Sequence, residues 1–350
     1  MRPPYRLWSN HERRAVNNVN RIFLSTNGSR LARAECGLGE QWSVEFLLEG
    51  TSVRCLAVDP HNHSVVYAGT QGDGILRSTD GGRTWQAAGL AGHVVKSIAV
   101  SPCEPDTLYA GTRPALIFVS RDNGAQWEEL SAFRRIFSRR FWFSPAEPPF
   151  IGYVQGIALS PTDPNVIVAG IEAGAVVRST NRGKTWQDHR KGALRDCHSI
   201  RFHATNGDWV YEGGGTGAGA AFSQDAGNTW TQVRQGLEHH YGWAAAADPA
   251  QPEIIYCTTA PNPMKAHSGK GNADAAIYRC RADGNWEPLK GGLPQPLDYM
   301  PYALLTDPAA PGHLYAGMSN GDVWHTADYG DHWQQLPVNL GSIWTAMVML

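Results

Sequence analysis

An eight-residue pattern recurs along this chain, and it ends each time in tryptophan. It reads Ser78-Thr79-Asp80-Gly81-Gly82-Arg83-Thr84-Trp85, then Ser120-Arg121-Asp122-Asn123-Gly124-Ala125-Gln126-Trp127. It returns from Ser179 to Trp186, with Asn181 in place of the aspartate, and from Ser223 to Trp230. Thr326 to Trp333 is a looser copy, Cys280 to Trp286 is a degenerate one, and Trp42 ends the most eroded. Seven tryptophans in phase, spaced by 42 to 59 residues, mark a stack of similar units, each too small to bury its own core.

A second element precedes the octets. The segments Leu56–Thr70, Ile98–Thr112, Ile157–Ile171 and Leu304–Met318 share one plan: an apolar run, a Pro-containing turn, then a run ending in Ala-Gly. One unit therefore reads as four short strands: A (Val53–Val58), B (Val65–Gly69), C (Gly74–Ser78) and D (Thr84–Ala88). The region before residue 50 supplies strands near Arg21–Ser25, Arg30–Ala34 and Trp42–Leu47 but no strand A, whereas Ser342–Leu350 is a strand A alone. The expected fold is all-β: a single seven-bladed β-propeller, residues 1–350, of four antiparallel strands per blade, closed by both ends of the chain. Expected blades are 20–48 with 342–350, then 52–89, 93–131, 152–190, 196–235, 241–289 and 299–337, with an N-terminal extension at 1–19.

The octet resembles the Asp-box, or BNR, motif of sialidases, sortilin-type receptors, some cellulose- and xyloglucan-degrading hydrolases and photosystem II assembly factors. The resemblance covers nearly the whole chain and implies the propeller fold; it does not imply one reaction. A true sialidase is not implied, because the Arg-Ile-Pro segment is missing and Arg21-Ile22-Phe23 is the nearest string. In the families it resembles, the boxes lie opposite the active site. Asp80, Asp122, Asp225 and Asp328 are accordingly read as turn-forming scaffold, with Asp and Ser side chains bonding nearby backbone N–H groups and the tryptophan packing between blades.

A functional site is expected on the other face, which the D→A and B→C connections share. When the A strands are aligned, Arg54, Lys96, Gln155, His198, Trp243 and Tyr302 fall at one position, and the apolar Leu56, Ile98, Ile157, Ile200, Ala245 and Leu304 lie two further on. Three positions before the polar series stand Thr51, His93, Gly152, Arg195, His240 and Tyr299. Strand A is innermost in a propeller, so both series are expected around the mouth of the central channel. From them Arg54, His93, Lys96, Gln155, Arg195, Trp243, Tyr299 and Tyr302 are candidate ligand-binding residues, and His198 and His240 candidate acid/base catalysts. Cations and imidazoles suit an anionic group, and aromatic rings suit a sugar-like body. The expected function is binding of a small anionic or carbohydrate-like ligand there. Hydrolase or lyase activity on an acidic or glycosidic substrate, and a protein-interaction scaffold, are the alternatives; whether the chain is an enzyme stays open.

Two connections are swollen. Residues 132–152 interleave four arginines with aromatics, and 260–275 lengthen blade six. The first is a candidate contact between copies of the chain in a homo-oligomer. A formal net charge of −2 gives no basic footprint for nucleic acid. No run is long and apolar enough to span a bilayer. The six cysteines lack CxxC spacing, the histidines lack metal-ligand spacing, and the start shows no signal peptide. No cofactor and no metal are therefore expected, and the cytoplasm is the expected compartment.

Overall fold

The computed structural model describes residues 21–350 apart from 38–40, 147, 216, 282–283 and 345. The expected extension at 1–19 lies outside the described residues. Seven sheets follow one another around a ring, each ordered A-B-C-D from the centre outward. Blade 2 shows the plan: Val53–Asp59, Asn62–Thr70, Ile75–Ser78 and Gln86–Ala87. The inner strands are long and buried because they are packed on both faces. The outermost strand is weak, and in blades 4 and 5 it shrinks to single bridges, Arg178 to Gln187 and Phe222 to Thr231.

Blade 1 closes the ring. Its strand A is Met347–Met349, which pairs antiparallel with Ile22–Asn27 in the register Phe23 to Met349, Leu24 to Val348 and Ser25 to Met347. Closure leaves no free inner sheet edge for another chain to pair with.

The repeated Ala-Gly has a steric cause. A Cβ on Gly111 of blade 3 would lie 2.6 Å from Val154 on strand A of blade 4, and one on Gly213 of blade 5 would lie 2.6 Å from the Trp243 carbonyl oxygen of blade 6. Each B strand thus lies directly against the next blade's inner strand. The core is divided accordingly into clusters shared by neighbours: Leu24 and Leu31 of blade 1, for instance, pack with Val53, Leu56, Val66 and Ala68 of blade 2.

The Asp boxes close on themselves. Ser78 Oγ donates to Asp80 Oδ1 (2.7 Å) and accepts from Gly82 N–H (2.9 Å), while the Asp80 carboxylate accepts from the Thr84 N–H (2.9 Å) and hydroxyl (2.6 Å). The Thr84 bonds, with those of Ser78 and Arg83, hold the Asp80 carboxyl well below the usual range. Two consecutive residues turn left-handed in each box: Gly81 and Gly82, Asn123 and Gly124, Arg182 and Gly183, Ala226 and Gly227, Tyr329 and Gly330. The first of each pair donates its N–H to the A→B turn of its own blade, as Gly81 does to Ser64 O (2.9 Å) and Ala226 to Asp208 O (2.8 Å). Its carbonyl accepts from the preceding blade in three cases: Arg33 to Gly81 (2.9 Å), Arg178 to Ala226 (2.8 Å) and Arg279 to Tyr329 (2.9 Å). Trp127 likewise reaches back to Ala88 O of blade 2 (2.8 Å). The box is a clamp between turns and between blades.

Candidate functional site

In each of blades 2 to 7 the pairing of strand A with strand B breaks near the start of strand A. The register shifts between Val53 and Cys55, Val95 and Ser97, Val154 and Gly156, Cys197 and Ser199, Gly242 and Ala245, and Pro301 and Ala303. The residues skipped are Arg54, Lys96, Gln155, His198, Trp243 (with Ala244) and Tyr302. These six are the polar series read from the sequence, and every one sits in a β-bulge. A bulge removes a residue from the ladder and re-aims its side chain, which is why bulges gather beside functional sites. In blade 1 the residue before Met347 is Ala346, which bonds Thr26 instead (Thr26 N to Ala346 O, 3.0 Å).

From blade 4 to blade 7 the bulged residues touch in succession. Gln155 Nε2 donates to His198 O (3.1 Å), the His198 ring lies 4.4 Å from Trp243 at 32°, and Trp243 meets Tyr302 edge-on at 4.9 Å. Lys96 places its ammonium 4.2 Å over the Tyr153 ring. Arg54 is half-buried on blade 2.

The long connection of blade 6 folds over this row. Its one helical turn, Pro263–Ala266, starts on Asn262, whose side chain accepts from Lys265 N (3.0 Å), and it has proline in its first turn. It delivers His267 between two tyrosines. Tyr302 Oη donates to Ala266 O (3.0 Å), so it accepts from His267 Nδ1–H, leaving Nε2 to accept from Tyr241 Oη at 2.7 Å.

Two carboxylates complete the site. Glu172 stands in the B→C turn of blade 4, and Asp196 leads into strand A of blade 5. His198 is 5 % exposed and Glu172 8 %. The His198 Nδ1 donates to Gly242 O (2.7 Å), which turns Nε2 toward Glu172 Oε2 (3.8 Å) and Asp196 Oδ1 (3.7 Å). Asp196 also accepts from Ala173 N (3.2 Å). Burial, then the Asp196 charge, push the Glu172 carboxyl up to about 8 against the pull of Lys96. Burial lowers His198, opposed by Asp196 and the Gly242 bond, so its imidazole is neutral.

The second sequence series does not gather there. His93 packs edge-on against Phe118 (5.1 Å), and Arg195 and His240 are exposed. Tyr299 is half-buried beside Gly271 of the blade 6 connection. Of the two candidate catalysts, then, only His198 lies among the bulged residues. Sequence reasoning missed Glu172, Asp196, Tyr241 and His267. One signal was available: Asp196-Cys197-His198 places two functional groups at alternate strand positions, hence on one side.

The 132–152 connection is packed, with Phe133 and Trp142 buried. Arg134 pairs with Glu129, Arg139 donates to Ala115 O (3.2 Å), and Ser138 N donates to Asp188 (3.0 Å). Phe137, Phe141, Phe143 and Phe150 are left more than half exposed. No helix among the described residues is long and apolar enough to cross a membrane.

Fold and boxes together define the class: this chain is an Asp-box, or BNR-repeat, seven-bladed β-propeller. The BNR/Asp-box repeat model matches residues 76–87, and the sortilin model, described as sortilin, neurotensin receptor 3, matches residues 117–278. No curated protein matches the chain. Among solved structures, the GH74 xyloglucanase from Xanthomonas campestris is similar at 20 % identity and a TM-score of 0.60, over 81 % of this chain and 45 % of that one. An ancestral GH74 enzyme is similar at 20 % identity and a TM-score of 0.61, over 81 % and 38 %. The chain thus spans less than half the length of either. YCF48 bound to D1 peptide is similar at 15 % identity and a TM-score of 0.54, over 81 % of each chain. These likenesses concern the fold.

Proposed function

We propose that this propeller binds a carbohydrate-like ligand at the channel mouth, on the face opposite the Asp boxes. The observation that carries the reading is the row of β-bulges, which puts one large hydrogen-bonding side chain at the same strand position in blades 2 to 7 and brings those of blades 4 to 7 into contact. On blades 5 to 7 that row is aromatic: His198, Trp243 and Tyr302, extended by Tyr241 and His267. Aromatic faces suit the C–H faces of a sugar ring, and carboxylates and amides suit its hydroxyls. Asp196 disfavours an anionic ligand on this side, because its charge opposes it, as it opposes ionisation of Glu172. Xyloglucan oligosaccharides are the first probe, since two propellers of similar fold are GH74 enzymes. Calorimetric titration should show saturable binding of neutral oligosaccharides and weaker binding of uronic-acid oligomers. Trp243→Ala should weaken the neutral ligand by about tenfold to a hundredfold. Absence of binding by any neutral oligosaccharide, or equal binding by the variant, overturns the reading.

The exposed phenylalanines favour a second reading, in which residues 132–152 form a contact with a second copy of the chain. Light scattering should then show a dimer at high protein concentration that Phe137→Ser/Phe141→Ser abolishes; a wild-type monomer at every concentration rules it out.

A further inference from the structure

We propose that Glu172, Asp196 and His198 form a binding site for a divalent transition metal of the zinc class. The His198 Nδ1–H is committed to Gly242 O at 2.7 Å, so in the neutral ring Nε2 carries the lone pair, and that lone pair faces carboxyl oxygens at 3.7 and 3.8 Å. At those distances neither carboxyl makes a hydrogen bond to Nε2, and no described residue donates one to Nε2 or to the Glu172 carboxyl. A ring 95 % buried, aimed at two carboxylates, is held in the one tautomer that can ligate a cation.

The distances fit. The three ligand atoms lie within 4.8 Å of one another. Bonds of about 2.0–2.2 Å put the ligands of a tetrahedral zinc site on the order of 3.4 Å apart, so closing onto the ion takes only small side-chain movements. The supporting contacts are also of the kind metal sites use: a carbonyl behind the imidazole and the Ala173 N–H on Asp196 at 3.2 Å. The ligands come from a B→C turn and an adjacent strand A, both braced by the ring. Cys197 takes no part, since its thiol bonds Ser199 O on the other side of the strand. A nitrogen and two oxygens, with no sulfur, suit zinc or manganese and not copper(I) or an iron–sulfur cluster. Lys96 is the opposing charge nearby, and its ammonium rests on the Tyr153 ring. Three protein ligands leave a fourth position for water, beside Tyr241 and Trp243.

This site stands whether or not the propeller binds a sugar. Protein stripped with EDTA is titrated with zinc sulfate by calorimetry, and the oligosaccharide titration is repeated in EDTA so that the two outcomes separate. Wild type should bind one zinc per chain. Glu172→Gln and Asp196→Asn should each weaken binding by roughly a hundredfold or more, beyond what loss of a supporting contact costs, while Asp225→Asn in a box should leave it unchanged. Cobalt-loaded wild type should show ligand-field bands without sulfur charge transfer, a readout that needs no variant to fold. Failure of wild type to bind zinc stoichiometrically, zinc binding undiminished in Glu172→Gln, or cobalt without ligand-field bands each overturns the proposal.

Discussion

The two faces of the propeller both carry acidic residues, and they use them in opposite ways. In the boxes, Asp80 and Asp328 are surrounded by donors: two N–H groups and two hydroxyls for Asp80, and His332, with the Thr326 hydroxyl, for Asp328. At the mouth, Glu172 is more deeply buried and faces a lone pair and a second carboxylate. Saturation leaves the box carboxylate with no call for a ligand. The Glu172 carboxyl and His198 Nε2 receive no hydrogen bond from the described residues, and a ligand is what such a pair recruits. Blade 4 supplies an internal control. There Asn181 replaces the box aspartate, accepts from Thr185 N (2.9 Å) and donates to Thr185 Oγ1 (2.8 Å), so a box needs its bonds more than its charge.

The largest expected effect tests the box side. The triple variant Asp80→Ala/Asp225→Ala/Asp328→Ala should lose about 3 kcal/mol, roughly 1 kcal/mol for each turn, summed over distant sites. Chemical denaturation measures the loss, and oligosaccharide and zinc affinity should persist. A triple variant as stable as wild type would erase the contrast. A smaller effect of opposite sign is expected at the mouth. In EDTA at neutral pH, Glu172→Gln should raise stability by about 1–2 kcal/mol, because folding must keep the buried Glu172 carboxyl protonated at a pH where the unfolded chain ionises it, a cost that a neutral isostere lacks. A loss there would mean that Glu172 is as well satisfied as the boxes.

The smallest effect is a pH dependence. Burial raises the Asp328 pKa, but the bonds from His332 and Thr326 outweigh it and hold it at about 2, against an ordinary 3.8. A carboxyl depressed in the folded state contributes its stability fully above the ordinary value and loses it as pH falls toward the folded value. Wild type should therefore lose its advantage over Asp328→Asn between about pH 4 and pH 2. Parallel acid-unfolding curves would show that the box carboxylate is not what His332 holds.

Much of this was legible in the sequence. Seven tryptophans in phase give the blade count, and the lone strand A gives the closure between Ile22–Asn27 and Met347–Met349. The bulged row was legible too, because one strand position repeats a large polar side chain in six blades. The bulge itself was not, since it leaves no residue signature, only a break in pairing. The series holding His93, Arg195 and His240 failed to gather for a related reason. Those residues lie in incoming connections, where the two-residue period of a strand no longer governs direction. Glu172 and His267 stand in B→C connections of unequal length, which no repeat can align.

The bonds that close the ring join Thr26 to Ala346, 320 positions apart. Every other inner strand pairs with its immediate successor in the chain. Loop-closure entropy and contact order both make such a distant pairing slow to form. Only three residue pairs hold this seam in register, so the seam is expected to be the last door to shut and the first to swing open. A change within Met347–Met349 should then shorten the lifetime of the folded ring more than an equally destabilising change at an interface between blades.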